Sequence, residues 1–443
     1  MSKAKMENIK WVNKMALPAL AGTVVETIFS IADQAIIGRT SVEGYAAVGV
    51  VANILYLLTG TLGILSLAFT IMFGKVVGTD DKQKAAKIFN TTITITFIIG
   101  SVFGIISCLF CKQFFAFFYH FKGVTLKFAC DYMRIACWGL LLNMLIFIIG
   151  AYLKNLRHVK ICFFASTIAL IINFCIDYTL VFGKFGFPKL QAKGAAIGTV
   201  VGLFVNVLIY AIWFVKIGYT KYKVQVCKEE SIQLIKIYIP LLGQDFVEYT
   251  LFVMLITSIV TNLSVCEVAS YNLLESFITI VLLPVFAYAG ATLTLVTQAF
   301  AKKEMEKVRS YPVIALFFSM GAVILIGGAM IAFPEFTSSL ITNDSHVIKN
   351  ASYIIPFAIG IQLLNIVNQI YKYCLQGTSC ENWVFVYSLI ISAISCGIAY
   401  INVIIIELGL KGVYIGLGLS YVMLGMGYFI KYRRTVIGEE PEM

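Results

Sequence analysis

The sequence predicts an all-α membrane protein in which twelve transmembrane helices form two pseudo-symmetric six-helix lobes. Of the 443 residues, 60% are hydrophobic and 13% are charged, whereas a soluble domain carries about 25% charged residues. The apolar residues occur in long solid runs rather than in ten-residue alternations, which argues against membrane-spanning strands. An internal repeat divides these runs into two sets of six.

Twelve apolar segments are long enough to be predicted as transmembrane helices, because about 20 apolar residues span a bilayer. Short polar or charged segments separate most of them. The predicted helices lie at residues 12–37, 48–76, 88–112, 129–153, 161–183, 194–217, 233–261, 267–300, 311–333, 349–376, 383–407 and 411–431.

The net charge of +11 is interpreted as an orientation signal rather than as a nucleic-acid-binding surface. Alternate connecting segments are rich in lysine and arginine, for example 82–87, 157–160 and 302–309. Cytoplasmic connections carry such an excess, so an even number of spans with both termini in the cytoplasm satisfies the pattern. We therefore expect a multi-pass protein of the plasma membrane, with the lipid bilayer and no nucleic acid among its partners.

The two halves of the chain are related by an internal repeat at offsets of 218 to 223 residues. Pro18 meets Pro240 in this repeat, whereas the position that meets Asp33 is Leu255. The helices of the two halves are therefore predicted to be related by symmetry, whereas the positions of the acidic residues are not. The matching segments are 16–26 with 238–248, 72–85 with 295–308, and 190–198 with 408–416.

The repeat also predicts the domain organisation. Six helices are an even number, so both halves enter the membrane from the same side and are parallel repeats. We expect an N-terminal six-helix lobe at 1–217, a short charged cytoplasmic linker at 218–232 and a C-terminal six-helix lobe at 233–443.

The first apolar segment carries two carboxylates, Glu26 and Asp33. A carboxylate in hydrocarbon costs about 2.5 to 3.5 kcal/mol even on the lenient insertion scale, so such residues usually face a polar interior. A spacing of seven residues places the two on one helical face, roughly 10 Å apart. We expect this face to line a cavity in which protonation or cation binding drives transport. Two interpretations of Glu26 remain. It either binds a cationic substrate or a second proton, or it is a buried acid that hydrogen-bonds to backbone groups left unpaired by Pro18.

Several segments, in this order and spacing, resemble the multidrug and toxic compound extrusion (MATE) family, and most closely its bacterial DNA-damage-inducible-like branch. The likeness covers nearly the whole chain, although no single motif decides it. It is carried by LPAL with IADQAIIGR in the first helix, SLAFTIMFGKVVGTDDKQKA, YMRIACWG, NFCIDYTLVFGKFGFPKLQAKGAAIGT and LPVFAYAGATLTLVTQAF.

The resemblance implies coupling residues in the N-terminal lobe. The family pattern is an Asp fifteen residues after the first-helix proline, Asn-x3-Asp on helix five and a Thr early in helix six. In this sequence these positions are Asp33, Asn173, Asp177 and Thr199. The resemblance also implies two lobes around a central substrate cleft and export driven by inward flow of H⁺ or Na⁺.

Three interpretations of these four oxygen-bearing residues remain open. Asn173 and Asp177 lie on one helical face, since they are four residues apart. Two carboxylates with neutral oxygens would hold a Na⁺ ion, or two close carboxylates would share one proton and titrate as a coupled pair. The third interpretation is a hydrogen-bonded polar patch that only fixes helix packing.

In the C-terminal half, Asp245, Glu248 and Glu275 are candidates for substrate binding or coupling. Relatives with a coupling glutamate at the position of Glu248 also have an aspartate in helix ten, which this chain lacks. Helix ten instead carries a polar stripe of Gln362, Asn365 and Gln369, which lines a cavity or makes hydrogen bonds between the lobes.

The stripe continues to Lys372. This lysine either pairs with an acid or, as such lysines more often do, reaches the cytoplasmic interface.

Pro18 and Pro240 are predicted hinge residues, because a proline inside a helix removes one backbone hydrogen bond and kinks the helix. A kink next to titrating acids suits a movable element. The alternative is a static bend.

We therefore expect a secondary active antiporter that exports amphipathic, cationic small molecules in exchange for H⁺ or Na⁺ and needs no cofactor. The alternative is a lipid-linked oligosaccharide flippase of the same superfamily. An enzyme or a receptor is less favoured, because the histidines stand apart from any set of metal ligands and no soluble sensing domain is predicted. A small-molecule substrate and a monomeric state complete this expectation.

Overall fold

The computed structural model describes residues 3–39, 42–216 and 226–438. Within these ranges the chain is helical, and no strand occurs. The helices of the first half are α1 (Lys3–Gly38), α2 (Val42–Gly63), α3 (Leu65–Thr79), α4 (Lys82–Phe118), α5 (Gly123–Ala136), α6 (Trp138–Asn155), α7 (Val159–Phe182) and α8 (Ala192–Lys216). Those of the second half are α9 (Lys228–Asp245), α10 (Phe252–Val260), α11 (Val265–Ala301), α12 (Met305–Ala332), α13 (Pro334–Ser339), α14 (Ser345–Gly377), α15 (Glu381–Tyr400) and α16 (Gly409–Ile437).

Among the described residues, twelve helical stretches are long and apolar enough to cross a membrane. Three of them join consecutive helices, namely α2 with α3, α5 with α6, and α9 with α10. The predicted fold class is therefore confirmed.

Some helices extend well beyond the predicted apolar runs. Helix α4 begins at Lys82 and ends at Phe118, whereas the apolar run predicted only 88–112. The Asp81 side chain accepts a hydrogen bond from the Lys84 backbone at 3.0 Å and so caps the first turn, which stabilises a polar helix start. Hydropathy predicts which part of a helix is apolar enough to contact lipid, but it does not predict where the helix begins and ends.

The chain divides into two compact units. The N-terminal unit is Ala21–Tyr238, and the C-terminal unit combines Met1–Leu20 with Ile239–Met443. The first twenty residues therefore group differently from the predicted N-terminal lobe. The predicted linker lies partly outside the described residues, and the lobes as functional bodies stay a prediction.

Contacts along the first half of α1 explain its grouping with the C-terminal unit. The Tyr288 hydroxyl donates to Asn13 Oδ1 at 2.5 Å, and Asn8 Nδ2 donates to Ser310 Oγ at 3.3 Å. Val12 is fully buried. These contacts lie about three and a half to seven turns before Glu26 and Asp33, which belong to the N-terminal unit.

In the N-terminal unit, α7 and α8 form a close helix pair through a glycine stripe, Gly194, Gly198 and Gly202. A Cβ added at Gly194 would lie 2.8 Å from the backbone of Leu180, and one at Gly202 would lie 2.8 Å from Asn173 Cβ. Residues four apart share one helical face, and small residues on such a face let two membrane helices approach closely.

The C-terminal unit is built around α11 and α14, which pack on each other along their lengths. Its seventh transmembrane stretch is irregular, because α9 passes into a π-helical segment at Phe246–Leu251 before α10 begins. Isolated π-helical turns occur mostly inside α-helices, frequently at functional sites. The equivalent part of α1 is α-helical throughout.

Candidate functional site: an acidic cavity and a buried ion pair

The N-terminal unit contains an open cavity of about 770 Å³. Six helices line it, namely α1, α2, α5, α6, α7 and α8. Its charged lining residues, within the part of the chain that the structure describes, are the carboxylates of Glu26, Asp33 and Asp177. The prediction that the acidic face of α1 lines a cavity therefore agrees with the structure.

The four predicted coupling residues all line this cavity. Asn173 Nδ2 donates a hydrogen bond to Asp177 Oδ2 at 3.1 Å, which orients the Asp177 carboxylate. Asp33 on α1 lies next to Asp177 on α7 and interacts directly with it. Thr199 reaches the cavity from α8. The structure thus brings these residues together, while their role stays a prediction.

The two aspartates each retain one buried oxygen, Asp33 Oδ1 and Asp177 Oδ1, without a hydrogen-bond partner among the described residues. A buried acceptor that lacks a donor costs free energy, and for a charged group the cost is larger. A proton shared between the carboxylates or a cation between them would remove this cost. The donor set of carboxylate, amide and hydroxyl oxygens also fits a hard cation such as Na⁺.

Gly198 explains how Asp177 fits between its neighbours. A Cβ at this position would overlap Asp177 Oδ1. The glycine therefore leaves room for the carboxylate against α8 and brings the adjacent Thr199 to the same place.

Tyr132 on α5 is a further member of the site that sequence reasoning missed. Its side chain is buried and lines the cavity, and its hydroxyl interacts with Asp33, Asp177 and Thr199. Tyr132 stands at the start of the YMRIACWG segment. No spacing rule connects α5 with α1 and α7, so only the fold could place it here.

Glu26 lines the same cavity two helical turns from Asp33. It interacts electrostatically with Lys154 of α6 and Tyr210 of α8. Nearby on the lining, Asn206 Nδ2 donates to Ser166 Oγ at 3.3 Å, and Asn206 Oδ1 lacks a partner among the described residues. This part of the cavity therefore offers acceptor oxygens in addition to those of the aspartate pair.

The C-terminal unit contains a second polar cluster, centred on Glu248 in the π-helical segment. Lys372 Nζ of α14 lies 2.8 Å from Glu248 Oε2. Gln244 Nε2 donates to Glu248 Oε1 at 2.9 Å, and Gln376 Nε2 donates to Gln244 Oε1 at 2.9 Å. Lys372 thus pairs with an acid, which is one of the two interpretations offered by the sequence.

The polar stripe of α14 forms hydrogen bonds along its own helix. Asn365 Nδ2 donates to Gln362 Oε1 at 2.9 Å, while Asn365 Oδ1 accepts from Asn368 at 3.1 Å and from Gln369 at 3.4 Å. All four side chains are buried within the C-terminal unit. Their predicted role as substrate-binding groups stays a prediction.

Glu275 and Asp245 lie near this cluster without an ion pair among the described residues. Glu275 on α11 interacts with Tyr271 and Tyr421. Asp245 interacts electrostatically with both Lys372 and Glu248. Two of the three candidate acids of the second half, Asp245 and Glu248, therefore interact with the same lysine, Lys372.

A sequence model of the MatE family matches residues 18–179 and matches again at residues 240–401. The two matches begin at equivalent prolines and lie 222 residues apart at both ends. The chain belongs to the MatE family. The double match also supports the internal repeat predicted from sequence.

Curated relatives of this MatE protein extend over nearly the whole chain. It is 22% identical over 413 residues to a probable multidrug resistance protein NorM of Thermotoga maritima, a match that covers 91% of this chain and 88% of the relative. It is 21% identical over 444 residues to a probable multidrug resistance protein YoeA of Bacillus subtilis, covering 96% and 94% of the two chains.

Solved structures with the same fold include MATE transporters. An outward-facing multidrug resistance MATE family transporter of the MOP superfamily superposes with a TM-score of 0.88 at 17% identity, covering 98% of this chain and 97% of that one. A MOP superfamily transporter from Pyrococcus furiosus gives a TM-score of 0.86, also at 17% identity, with 98% and 97% covered. At this identity the likeness establishes the fold alone, whereas the family establishes a transporter rather than an enzyme.

Proposed function

We propose that this MatE protein is a secondary active antiporter that exports amphipathic, cationic small molecules in exchange for H⁺ or Na⁺. The observation that carries the proposal is the pair of buried aspartate oxygens without hydrogen-bond donors, Asp33 Oδ1 and Asp177 Oδ1. They line a cavity in a unit built of membrane-spanning helices. The ion that neutralises this pair is the coupling ion.

Neutralisation changes the energy of the site, and this change drives the cycle. Without an ion, two adjacent carboxylates are costly to enclose, so the cavity favours a state that opens to water or binds a cationic substrate. With an ion bound, enclosing the two carboxylates costs less free energy. The carboxylates are then neutralised, so they no longer attract a cationic substrate. An inward-negative membrane potential contributes about 2.3 kcal/mol per elementary charge per 100 mV.

The chemistry of the cavity supports a cationic rather than an anionic substrate. Its charged lining groups among the described residues are three carboxylates. A volume of about 770 Å³ lies within the range of sites for drug-sized ligands, about 300 to 1,000 Å³. A lipid-linked sugar carrying a pyrophosphate would need basic groups, and this lining offers acids instead.

The proposed cycle uses α1 as the moving element, with both termini in the cytoplasm of a monomeric plasma-membrane protein. Ion binding at Asp33 and Asp177 from outside shifts α1 near Pro18 and releases substrate. Ion release to the cytoplasm restores the acidic cavity, which then binds substrate again.

The decisive test measures efflux of a fluorescent organic cation in proteoliposomes under separately imposed pH and Na⁺ gradients. Asp33→Asn combined with Asp177→Asn is expected to abolish the response to both gradients, because the aspartate pair proposed to exchange the ion is then uncharged. Asp131→Asn is the matched control, since Asp131 is an acid of the same unit that pairs with Lys193 at 3.3 Å outside the cavity lining. Ion-driven efflux that survives the double substitution would refute the coupling site, and wild-type efflux indifferent to both gradients would refute antiport.

A further inference from the structure

The carboxylate of Glu248 differs from the aspartate pair because each of its two oxygens has a donor within the protein. Oε2 lies 2.8 Å from the Lys372 ammonium, and Oε1 accepts from Gln244 Nε2 at 2.9 Å. Gln244 is in turn held by Gln376. Both oxygens of Glu248 therefore have a partner within the protein, whereas Asp33 and Asp177 each retain an oxygen without one among the described residues.

The Lys372 ammonium is enclosed on its other sides. The Lys372 side chain is 5% exposed and that of Glu248 is 15% exposed. The ring centroids of Tyr249 and Tyr373 lie 5.6 and 5.7 Å from Lys372 Nζ, within the range in which an aromatic ring face attracts a cation. A lysine that served only as a surface anchor would not be held by an acid and two rings.

The local backbone brings the pair together. Glu248 stands inside the π-helical segment Phe246–Leu251, where the wider turn changes the direction in which successive side chains project. Lys372 comes from α14, 124 residues further along the chain. The pairing is thus a feature of the tertiary structure and not of a local motif.

We propose that Lys372 is a tethered cation that occupies the place of a coupling ion at Glu248, so that this carboxylate exchanges neither H⁺ nor Na⁺ during transport. The inference rests on the proposed antiport and assigns the ion exchange to the Asp33–Asp177 pair. It also gives a physical meaning to the missing helix-ten acid, because a second free carboxylate beside Glu248 would leave the lysine with excess negative charge.

Other titratable groups face the pair and must be controlled. Asp245 interacts electrostatically with both Glu248 and Lys372, and Tyr421 and Tyr428 interact with Glu248. Tyr249 and Tyr373 face the Lys372 ammonium. Asp245 is the one further acid of this set, so it supplies the matched control for Glu248.

The test counts ions bound by the purified protein, by proton titration and by equilibrium binding of radioactive Na⁺. Lys372→Gln leaves Glu248 unpaired, and we expect this variant to exchange one more H⁺ with solution near neutral pH, or to bind one more Na⁺, than the wild type. Adding Glu248→Gln should abolish the additional ion, while adding Asp245→Asn should leave it in place. A Lys372→Gln variant that folds and binds the wild-type number of ions would overturn the proposal, as would a gain that depends on Asp245.

Two further variants keep the test decisive if Lys372→Gln does not fold. Glu248→Gln alone should bind as many ions as the wild type, and the charge reversal E248K with K372E should do the same. Loss of one ion in Glu248→Gln would mean that Glu248 already exchanges an ion. Ion counting does not require transport. If ion-driven efflux fails, the antiport proposal is refuted, but the number of ions bound by each variant can still be measured and still tests the role of Lys372.

Discussion

At Gly198 the absence of a side chain decides where the Asp177 carboxylate lies. A Cβ there would overlap Asp177 Oδ1, and the neighbouring Thr199 lines the cavity beside it. The position of the Asp177 carboxylate therefore depends on a glycine, which has no side chain that could bind an ion itself. Tyr132 depends on the fold in the same way, since it joins the site only through the packing of α5.

At the scale of single residues, Gly198→Ala is expected to destabilise the protein by about 1 to 3 kcal/mol, the usual cost of overpacking. It should also displace the Asp177 carboxylate and weaken ion binding. Thermal unfolding and ion titration of the purified protein measure the two effects. Gly60→Ala is the control, because nothing lies within 4 Å of a Cβ at Gly60; equal behaviour of the two variants would contradict the assigned role of Gly198.

At the scale of elements, the boundaries of the two compact units coincide with the predicted hinge prolines. One boundary follows Leu20, two residues after Pro18, and the other precedes Ile239, one residue before Pro240. Both prolines lie inside helices, where each removes one backbone hydrogen bond. A helix that passes from one compact unit to the next at a weakened point is suited to bend there.

Pro18→Ala restores that hydrogen bond and is expected to stiffen α1. Because bending is proposed to accompany each cycle, efflux should slow by about tenfold, equivalent to ~1.4 kcal/mol of activation free energy. Ion binding measured at equilibrium should stay unchanged, because Asp33 and Asp177 are untouched. Pro312→Ala in α12 provides a control proline inside another helix; unaltered efflux in Pro18→Ala would favour the static bend.

At the scale of the whole molecule, the two halves share a packing arrangement and differ in its chemistry. Gly416 is the repeat equivalent of Gly198, and a Cβ added at Gly416 would lie 3.0 Å from Ala399 Cβ. Ala399 stands where the first half has Asp177, and Leu255 stands where it has Asp33. The close helix pair is thus retained in both halves, while the aspartate pair is present in one.

This asymmetry predicts a difference between equivalent substitutions. Gly416→Ala should destabilise the protein in thermal unfolding, because its Cβ would meet the α15 backbone and side chain tightly. Unlike Gly198→Ala, it should leave the number and affinity of bound ions unchanged. A loss of ion binding in Gly416→Ala would show that the coupling site extends into the second half.

Much of the architecture was predictable because it depends on local patterns. Apolar runs long enough to span a bilayer predicted twelve transmembrane helices, and the double MatE match supports the repeat. The helix ends were less predictable, as the extension of α4 to Phe118 illustrates. An amphipathic or capped turn continues a helix beyond the segment that hydropathy detects.

The amino-acid sequence by itself determined the fold class, the repeat and the acidic face of α1, since periodicity and spacing along one helix decide which residues share a face. The tertiary structure alone decided which residues from different helices meet. It placed Tyr132 beside the aspartates and brought Lys372 to Glu248. The physical reason is that these contacts join helices separated by up to 124 residues, and the close packing that creates them leaves no periodic signal in the chain.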